Sequence, residues 1–359
     1  MRTTGSWKRS RQLNDLGCSR SSWAKCLRAA AAMILGAIVG SVIISSCSTA
    51  VQPQPPTGAV EHVVIVVKEN HSFDNYLGSL ESPRPALPYC TSLVSAVRCQ
   101  YHPSDIPAYY QYARLFGYAD RYFTDVHGPS WPNDMMMTAA QSPLVTDPPP
   151  PLSTWVCPFT CYDFTTIGDR LSESGISWRN YGEQLYDPFR SIDRFATERV
   201  HNVAETQFVD DLSSGRLPSV SWVRPSGSES EHPGYSIATG ELWTVHIIDA
   251  IMRSQYWAST AILLTWDDAG DVPDHVTPPV VERSDTGKPI RYGFRVPLIV
   301  ISAFTAAGTV SHALLSHVSL LRFVEDVFHV QPLTFRDRSA NGLASFFDFS
   351  MPARAPLIL

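Results

Sequence analysis

The stretch that most constrains this chain is residues 261–268, Ala-Ile-Leu-Leu-Thr-Trp-Asp-Asp. A short, unbroken apolar run of this kind predicts a strand buried on both faces, as in a parallel α/β sheet. Two adjacent carboxylates at its C-terminal end have no place in a core, and the ends of such strands are where open α/β sheets carry their chemistry. The design occurs twice. His62-Val-Val-Ile-Val-Val leads through Lys68 to Glu69 and Asn70. If the two strands are parallel neighbours, Glu69, Asn70, Asp267 and Asp268 meet at one edge. Three carboxylates and an amide oxygen at one point repel one another unless a cation sits among them. All-oxygen ligation suits a hard divalent metal ion, whose identity the sequence leaves open.

Around these two strands the chain alternates strand and helix signals. Residues 176–181, 220–223 and 297–301 read as further strands, and 109–118, 167–173, 240–254 and 316–328 as helices. In the third of these, Leu242, His246, Ile247, Ala250 and Ile251 are expected to share the buried face. Two prolines and a glycine around Ser130 predict an irregular, rigid loop over residues 127–133. The fold class expected is α/β: a single doubly wound domain over residues 61–359, with a mostly parallel central sheet flanked by helices. Its composition, 44% hydrophobic and 17% charged, supplies ample core.

The first 46 residues carry seven Lys/Arg and one acid, leaving 21 basic and 33 acidic residues, a balance of −12, for the rest. That argues against a nucleic-acid binder, which needs a basic footprint. Residues 1–47 read as an export segment: Arg20, Lys25 and Arg28 precede an uncharged run that ends at Ser-Ser-Cys47. Cys47 is a candidate for lipidation, with an uncleaved anchor or a signal cut elsewhere as the alternatives. Membrane contact would come through this segment, and the body would be exported, as a cell-envelope lipoprotein or secreted. Residues 48–60 read as a flexible tether. Four cysteines then remain, Cys90, Cys99, Cys157 and Cys161, an even number suited to an oxidising compartment. Sequence neighbours suggest Cys90–Cys99 and Cys157–Cys161, with three pairings open. Zinc binding is the competing reading, weakened because neither spacing is a Cys-x-x-Cys hook.

Ser130 is the candidate nucleophile, since a hydroxyl needs a metal or a base to become reactive. Loop histidines near the acids, His232 and His275, are candidates for acid–base work or charge stabilisation. His71, His127, Asn133 and Asp134 flank the acidic pair and the serine. His246 reads as packed core.

These residues resemble the phosphoesterase family of the alkaline-phosphatase-like superfamily, which includes phospholipases C and acid phosphatases. The resemblance is carried by residues 61–78 (Glu-His-Val-Val-Ile-Val-Val-Lys-Glu-Asn-His-Ser-Phe-Asp-Asn-Tyr-Leu-Gly), 128–133 (Gly-Pro-Ser-Trp-Pro-Asn), 231–233 (Glu-His-Pro), 265–268 with 274–276 (Asp-His-Val), and 293–302. It implies an alkaline-phosphatase-like fold, metal ligation by Glu69, Asn70, Asp267 and Asp268, a Ser130 nucleophile, and His232 near the phosphate or leaving group. Two departures bear on specificity: Asp134 stands where a histidine is expected, and Asp271 where the pattern has a glycine. The implied activity is hydrolysis of phosphate esters. Acid-phosphatase-type monoester hydrolysis is favoured, because the chain stops soon after the catalytic pattern and shows no basic amphipathic helix. Phospholipase C action on a phospholipid is the alternative. Outside catalysis, a metal- or ligand-binding surface lipoprotein would keep the same residues. Sulfate-ester hydrolysis is weakened by the missing Cys-x-Pro-x-Arg signature.

Overall fold

The computed structural model describes residues 59–81, 83–85, 87–151, 155–182, 187–270 and 274–359. The export segment, Cys47, most of the tether and Asp271 lie outside these residues.

Twelve strands are present among them: β1 (His62–Lys68), β2 (Gly117–Ala119), β3 (Tyr122–Phe123), β4 (Trp178–Tyr181), β5 (Asn202–Val203), β6 (Val220–Val223), β7 (Thr260–Trp266), β8 (Val280–Arg283), β9 (Pro289–Arg291), β10 (Leu298–Ser302), β11 (Thr309–Ser311) and β12 (Leu315–Ser316). Eight of them form one sheet in the order β11-β2-β10-β7-β1-β6-β4-β5. β10 runs against both its neighbours, and every other pairing in the sheet is parallel. β1 and β7 are central and adjacent, as their two-sided apolar patterns require, and all seven residues of β7 are buried.

The helices are α1 (Phe73–Tyr76), α2 (Pro107–Leu115), α3 (Ser130–Ala139), α4 (Ile167–Glu173), α5 (Gln207–Ser213), α6 (Ile237–Arg253), α7 (His317–Phe328) and α8 (Phe335–Ser339). Thr166 and Asp169 form a reciprocal capping box that starts α4. None of the described helices is long and apolar enough to cross a membrane.

Two expectations fail for identifiable reasons. Ser130 is not in an irregular loop; it is the first residue of α3, with Pro129 as the preceding cap. Proline is tolerated in the first helical turn, where its missing N–H has no helical acceptor, so Pro132 does not break the element. On α6, Leu242 is 69% exposed and His246 is exposed, while Gly240, Thr244, Ile247, Ile248 and Ile251 are buried. Glu241 accepts from the Ala108 amide at 2.7 Å and Trp243 Nε1 donates to Glu205 at 2.9 Å. Of the expected face, Ile247 and Ile251 are buried and Ala250 is half-buried, so only the Leu242 and His246 edge turns outward, with Glu241 and Trp243 held inward by those two bonds.

The cysteines pair as Cys90–Cys99 and Cys157–Cys161. Zinc ligation by these four is thereby excluded.

Candidate active site

The parallel register of β1 and β7 sets Lys68 opposite Trp266. The next residues on each strand are therefore Glu69-Asn70 and Asp267-Asp268, side by side at one sheet edge. Asn70 takes a left-handed backbone (φ +57°), which turns its amide N–H toward Asp267 Oδ1 at 3.0 Å. Asp267 Oδ1 also accepts from the Asp268 amide at 2.7 Å. Gly270 caps the turn with φ +63°, and a Cβ there would lie 3.0 Å from the Asn70 carbonyl.

The start of α3 brings Ser130 into the same group. Its Oγ lies 3.0 Å from Asp268 Oδ2, 3.3 Å from Glu69 Oε2 and 3.5 Å from Asn70 Nδ2. Asn133 holds the loop that leads into the serine. Its Nδ2 donates to the carbonyls of Val126, Gly128 and Pro129 at 3.0–3.2 Å, and its Oδ1 accepts from the Val126 amide at 2.9 Å. The first turn of a helix also points free N–H groups and the positive end of the dipole toward the serine.

The residues present fit a cation. Burial, then the charges of Asp134 and Asp268, push the Glu69 carboxyl up to about 8. Burial and the neighbouring Glu69 and Asp268 raise Asp267 well above the carboxylate range. Two buried oxygens, Asn70 Oδ1 and Asp267 Oδ2, have no hydrogen-bond partner. The donor set is three carboxylates and one amide, all oxygen, and these unpartnered atoms fit a hard divalent ion. Asn70 Nδ2 now donates to Asp268 Oδ1 at 2.6 Å, so ligation by this amide calls for a flip that turns Oδ1 inward.

A cavity of about 300 Å3 opens over Ser130 and Glu69, walled by Val67, Trp155, Arg224, His232 and Tyr235. His232 is therefore placed at the pocket, exposed, with Nδ1 3.1 Å from its neighbour's carbonyl. His275 is not in this group. Asp74 captures both its backbone N–H (2.7 Å) and its Nδ1 (2.8 Å) in a second charge cluster. There Arg295, almost wholly buried, already pairs with Asp74, Glu81 and Asp274 at 2.7–3.0 Å and supplies the positive charge. His71 is a buried structural histidine, bound to Asn75 and, at 2.9 Å, to the Glu231 carbonyl; burial lowers it to about 4. His127 is exposed and stacks edge-on against Phe294 at 4.6 Å. Asp134 is buried and paired with Arg224.

Sequence reasoning passed over the layer beneath the site. Lys68 and Glu231 are both fully buried and 3.3 Å apart. Glu231 also accepts from Tyr76 at 2.9 Å, from Trp266 Nε1 at 3.3 Å and from Tyr109. Burial pushes both members of this pair toward their neutral forms, and their mutual attraction opposes it. One carboxylate thus ties together the residues that precede Glu69, Asp267 and His232. Across the strand ends, His317 Nε2 contacts the Asp267 carbonyl at 2.8 Å. Arg224 was also missed, although Val-Ser-Trp-Val-Arg224 is an apolar run ending in a charge, the pattern that revealed the two acidic pairs.

The sequence profile of the Phosphoesterase family matches residues 60–96 and 89–331. Curated relatives include "Phospholipase C B" of Mycobacterium tuberculosis, 28% identical over 300 residues, covering 70% of this chain and 56% of that protein. "Hemolytic phospholipase C" of Pseudomonas aeruginosa is 26% identical over 423 residues, covering 84% and 58% respectively. "Non-specific phospholipase C1" of Arabidopsis thaliana is 25% identical over 391 residues, covering 82% and 72%. The chain spans less than two thirds of the length of these two bacterial relatives. Among solved structures, a Bacteroides thetaiotaomicron protein from a study of glycosaminoglycan metabolism superposes with a TM-score of 0.50 at 13% identity, over 83% of this chain and 78% of that one. A Vibrio parahaemolyticus protein of the alkaline phosphatase superfamily gives 0.47 at 16% identity, over 80% and 72%. The first likeness concerns fold alone.

Proposed function

Since the chain belongs to the Phosphoesterase family, we propose that it is a phosphoric ester hydrolase with Ser130 as nucleophile, acting on phosphodiesters of the phospholipid class. The single observation that carries this is the position of Ser130 Oγ, 3.0 and 3.3 Å from two carboxylate oxygens at a helix N-terminus, on the floor of an open pocket.

Glu69, Asn70, Asp267 and Asp268 are the residues that would hold a divalent ion. Such an ion, when bound, supplies Lewis acidity and lowers the pKa of a neighbouring hydroxyl. The chain's own residues do the rest. A carboxylate of Asp268 or Glu69 accepts the serine proton as Oγ attacks phosphorus. The Oγ–P bond forms, and the bond from phosphorus to the leaving alcohol breaks in line. The alcohol takes a proton from His232 on the pocket wall. Water then attacks the phosphoserine and its proton passes to His232; the P–Oγ bond breaks, Ser130 Oγ takes back the proton held by the carboxylate, and the phosphate product is released.

Three considerations favour a diester over the monoester expected from sequence. The curated relatives quoted above are named phospholipases C. A diester also brings one negative charge to a carboxylate-rich site, whereas a monoester brings up to two at neutral pH. Trp155, Tyr235 and Pro225 provide an apolar wall for a second substituent. The two disulfides support export into an oxidising compartment.

The test is an assay of the protein after chelation and resupply of single metals, on p-nitrophenyl phosphate, bis-p-nitrophenyl phosphate and p-nitrophenyl phosphorylcholine. Metal-dependent turnover of the diesters, lost by at least about 10³-fold in Ser130→Ala, is the expected outcome. Turnover confined to the monoester would return the substrate assignment to an acid phosphatase. Silence on all three with metal bound would leave a non-catalytic binder.

A further inference from the structure

We propose that Arg224 binds the phosphoryl oxygens of the substrate and that Asp134 orients it. The inference rests on the serine-phosphoesterase reading above and names the residue that recognises the anion.

Arg224 follows β6 directly, and β6 is the parallel neighbour of β1 on the side away from β7. Three successive parallel strands therefore end in Asp267-Asp268, Glu69-Asn70 and Arg224, all at the same sheet edge. The arginine backbone is fixed by a 2.9 Å bond from its N–H to the Tyr181 carbonyl. Asp134 lies four residues after Ser130 on α3, so both side chains leave the same helix face one turn apart. Asp134 Oδ1 pairs with Arg224 Nη2, and the two side chains are 1% and 6% exposed. Arg224 lines the pocket together with Ser130 and Glu69.

Charge makes the assignment specific. Glu69 and Asp147 line the pocket, and Asp268 borders Ser130. Among the described lining residues, Arg224 alone bears a permanent positive charge. A guanidinium is a planar fork with five donors, so one edge can engage a carboxylate while another addresses phosphate oxygens. A buried ion pair is weak evidence for stability, because desolvation offsets its attraction. Its place on the wall of a phosphate pocket gives it a recognition role instead.

The experiment measures inorganic phosphate binding by calorimetry, and diester turnover, on the metal-supplemented protein and its R224Q, R224K and D134N variants. Circular dichroism checks folding. R224Q is expected to weaken phosphate binding at least about tenfold and to lower kcat/KM by about 100-fold. R224K keeps the charge without the fork and should recover only part of this. D134N should raise KM more than it lowers kcat, since it loosens an orientation. Should R224Q not fold, R224K and D134N decide. Phosphate affinity within twofold of wild type in folded R224K and D134N would overturn the proposal. Failure of the enzyme reading looks different: phosphate binding would still depend on Arg224 while the wild type turned over nothing.

Discussion

At Ser130 the geometry depends on one neighbour more than on any other. Asn133 uses its whole amide to hold the carbonyls and the N–H of the loop before the serine. Asn133→Ala leaves at least one buried backbone group without a partner, at a cost of about 1–3 kcal/mol. We expect a lower thermal midpoint and a kcat loss larger than that of a surface alanine variant of equal stability. Equal losses would make Asn133 a structural residue with no special hold on the serine. Residues of this kind divide sharply in legibility. Glu69, Asn70, Asp267 and Asp268 are readable because each pair ends an apolar strand. Ser130 needed the family resemblance, since composition around it says only that there is a turn. Arg224 went unread because a single charge after a short strand looks like a solvated end until the sheet order is known, and Glu231 because an acid in a polar loop gives no sign that it is buried against Lys68.

Among the elements, the junction of α7 and α8 carries a buried acid. As a carboxylate, Glu325 finds no donor for either oxygen; as the acid, it shares its proton with Asp337, and burial together with that neighbour raises it to about 9. The sign follows from the folded value lying above the ordinary 4.5. Between those two values the unfolded chain gives up this proton and the folded chain keeps it. The contribution of this group is thus fully present below about pH 4.5 and is lost progressively as pH rises toward 9. Glu325→Gln, with no proton to lose, should be more stable than wild type at pH 8 by about 1–3 kcal/mol, and indistinguishable or weaker at pH 4.5. Urea titrations at the two pH values read this directly, and a pH-independent difference would refute it. Element boundaries were read well where caps are local, as at Thr166 before α4. The buried face of α6 was read only in part: Ile247 and Ile251 are buried as expected, but Leu242 and His246 are exposed, and the inward turn of Glu241 and Trp243 rests on bonds to Ala108 and Glu205, far away in sequence.

For the molecule as a whole, the repelling carboxylates at the sheet edge are a cost that a bound ion removes. A ligand that binds only the folded state stabilises it by about 2.7 kcal/mol at 100 times its dissociation constant. Millimolar magnesium, calcium, manganese or zinc, tested singly after chelation, should raise the thermal midpoint by several degrees for at least one ion, and Asp267→Asn should abolish the rise. No shift with any of them would remove the metal from the account. The parallel sheet and its central pair were legible from the two-sided apolar runs, whereas β2 and β11, three residues each, carry too little pattern to be seen. The pairing of Lys68 with Trp266 has a further consequence. The gap between the two acidic dipeptides is a main-chain repeat, about 4.8 Å between hydrogen-bonded strands. That ruler is made of peptide groups, which no side-chain substitution alters. The hydrophobic interior can therefore change over evolutionary time, swapping valine for isoleucine or leucine, without rescaling the spacing on which the chemistry depends.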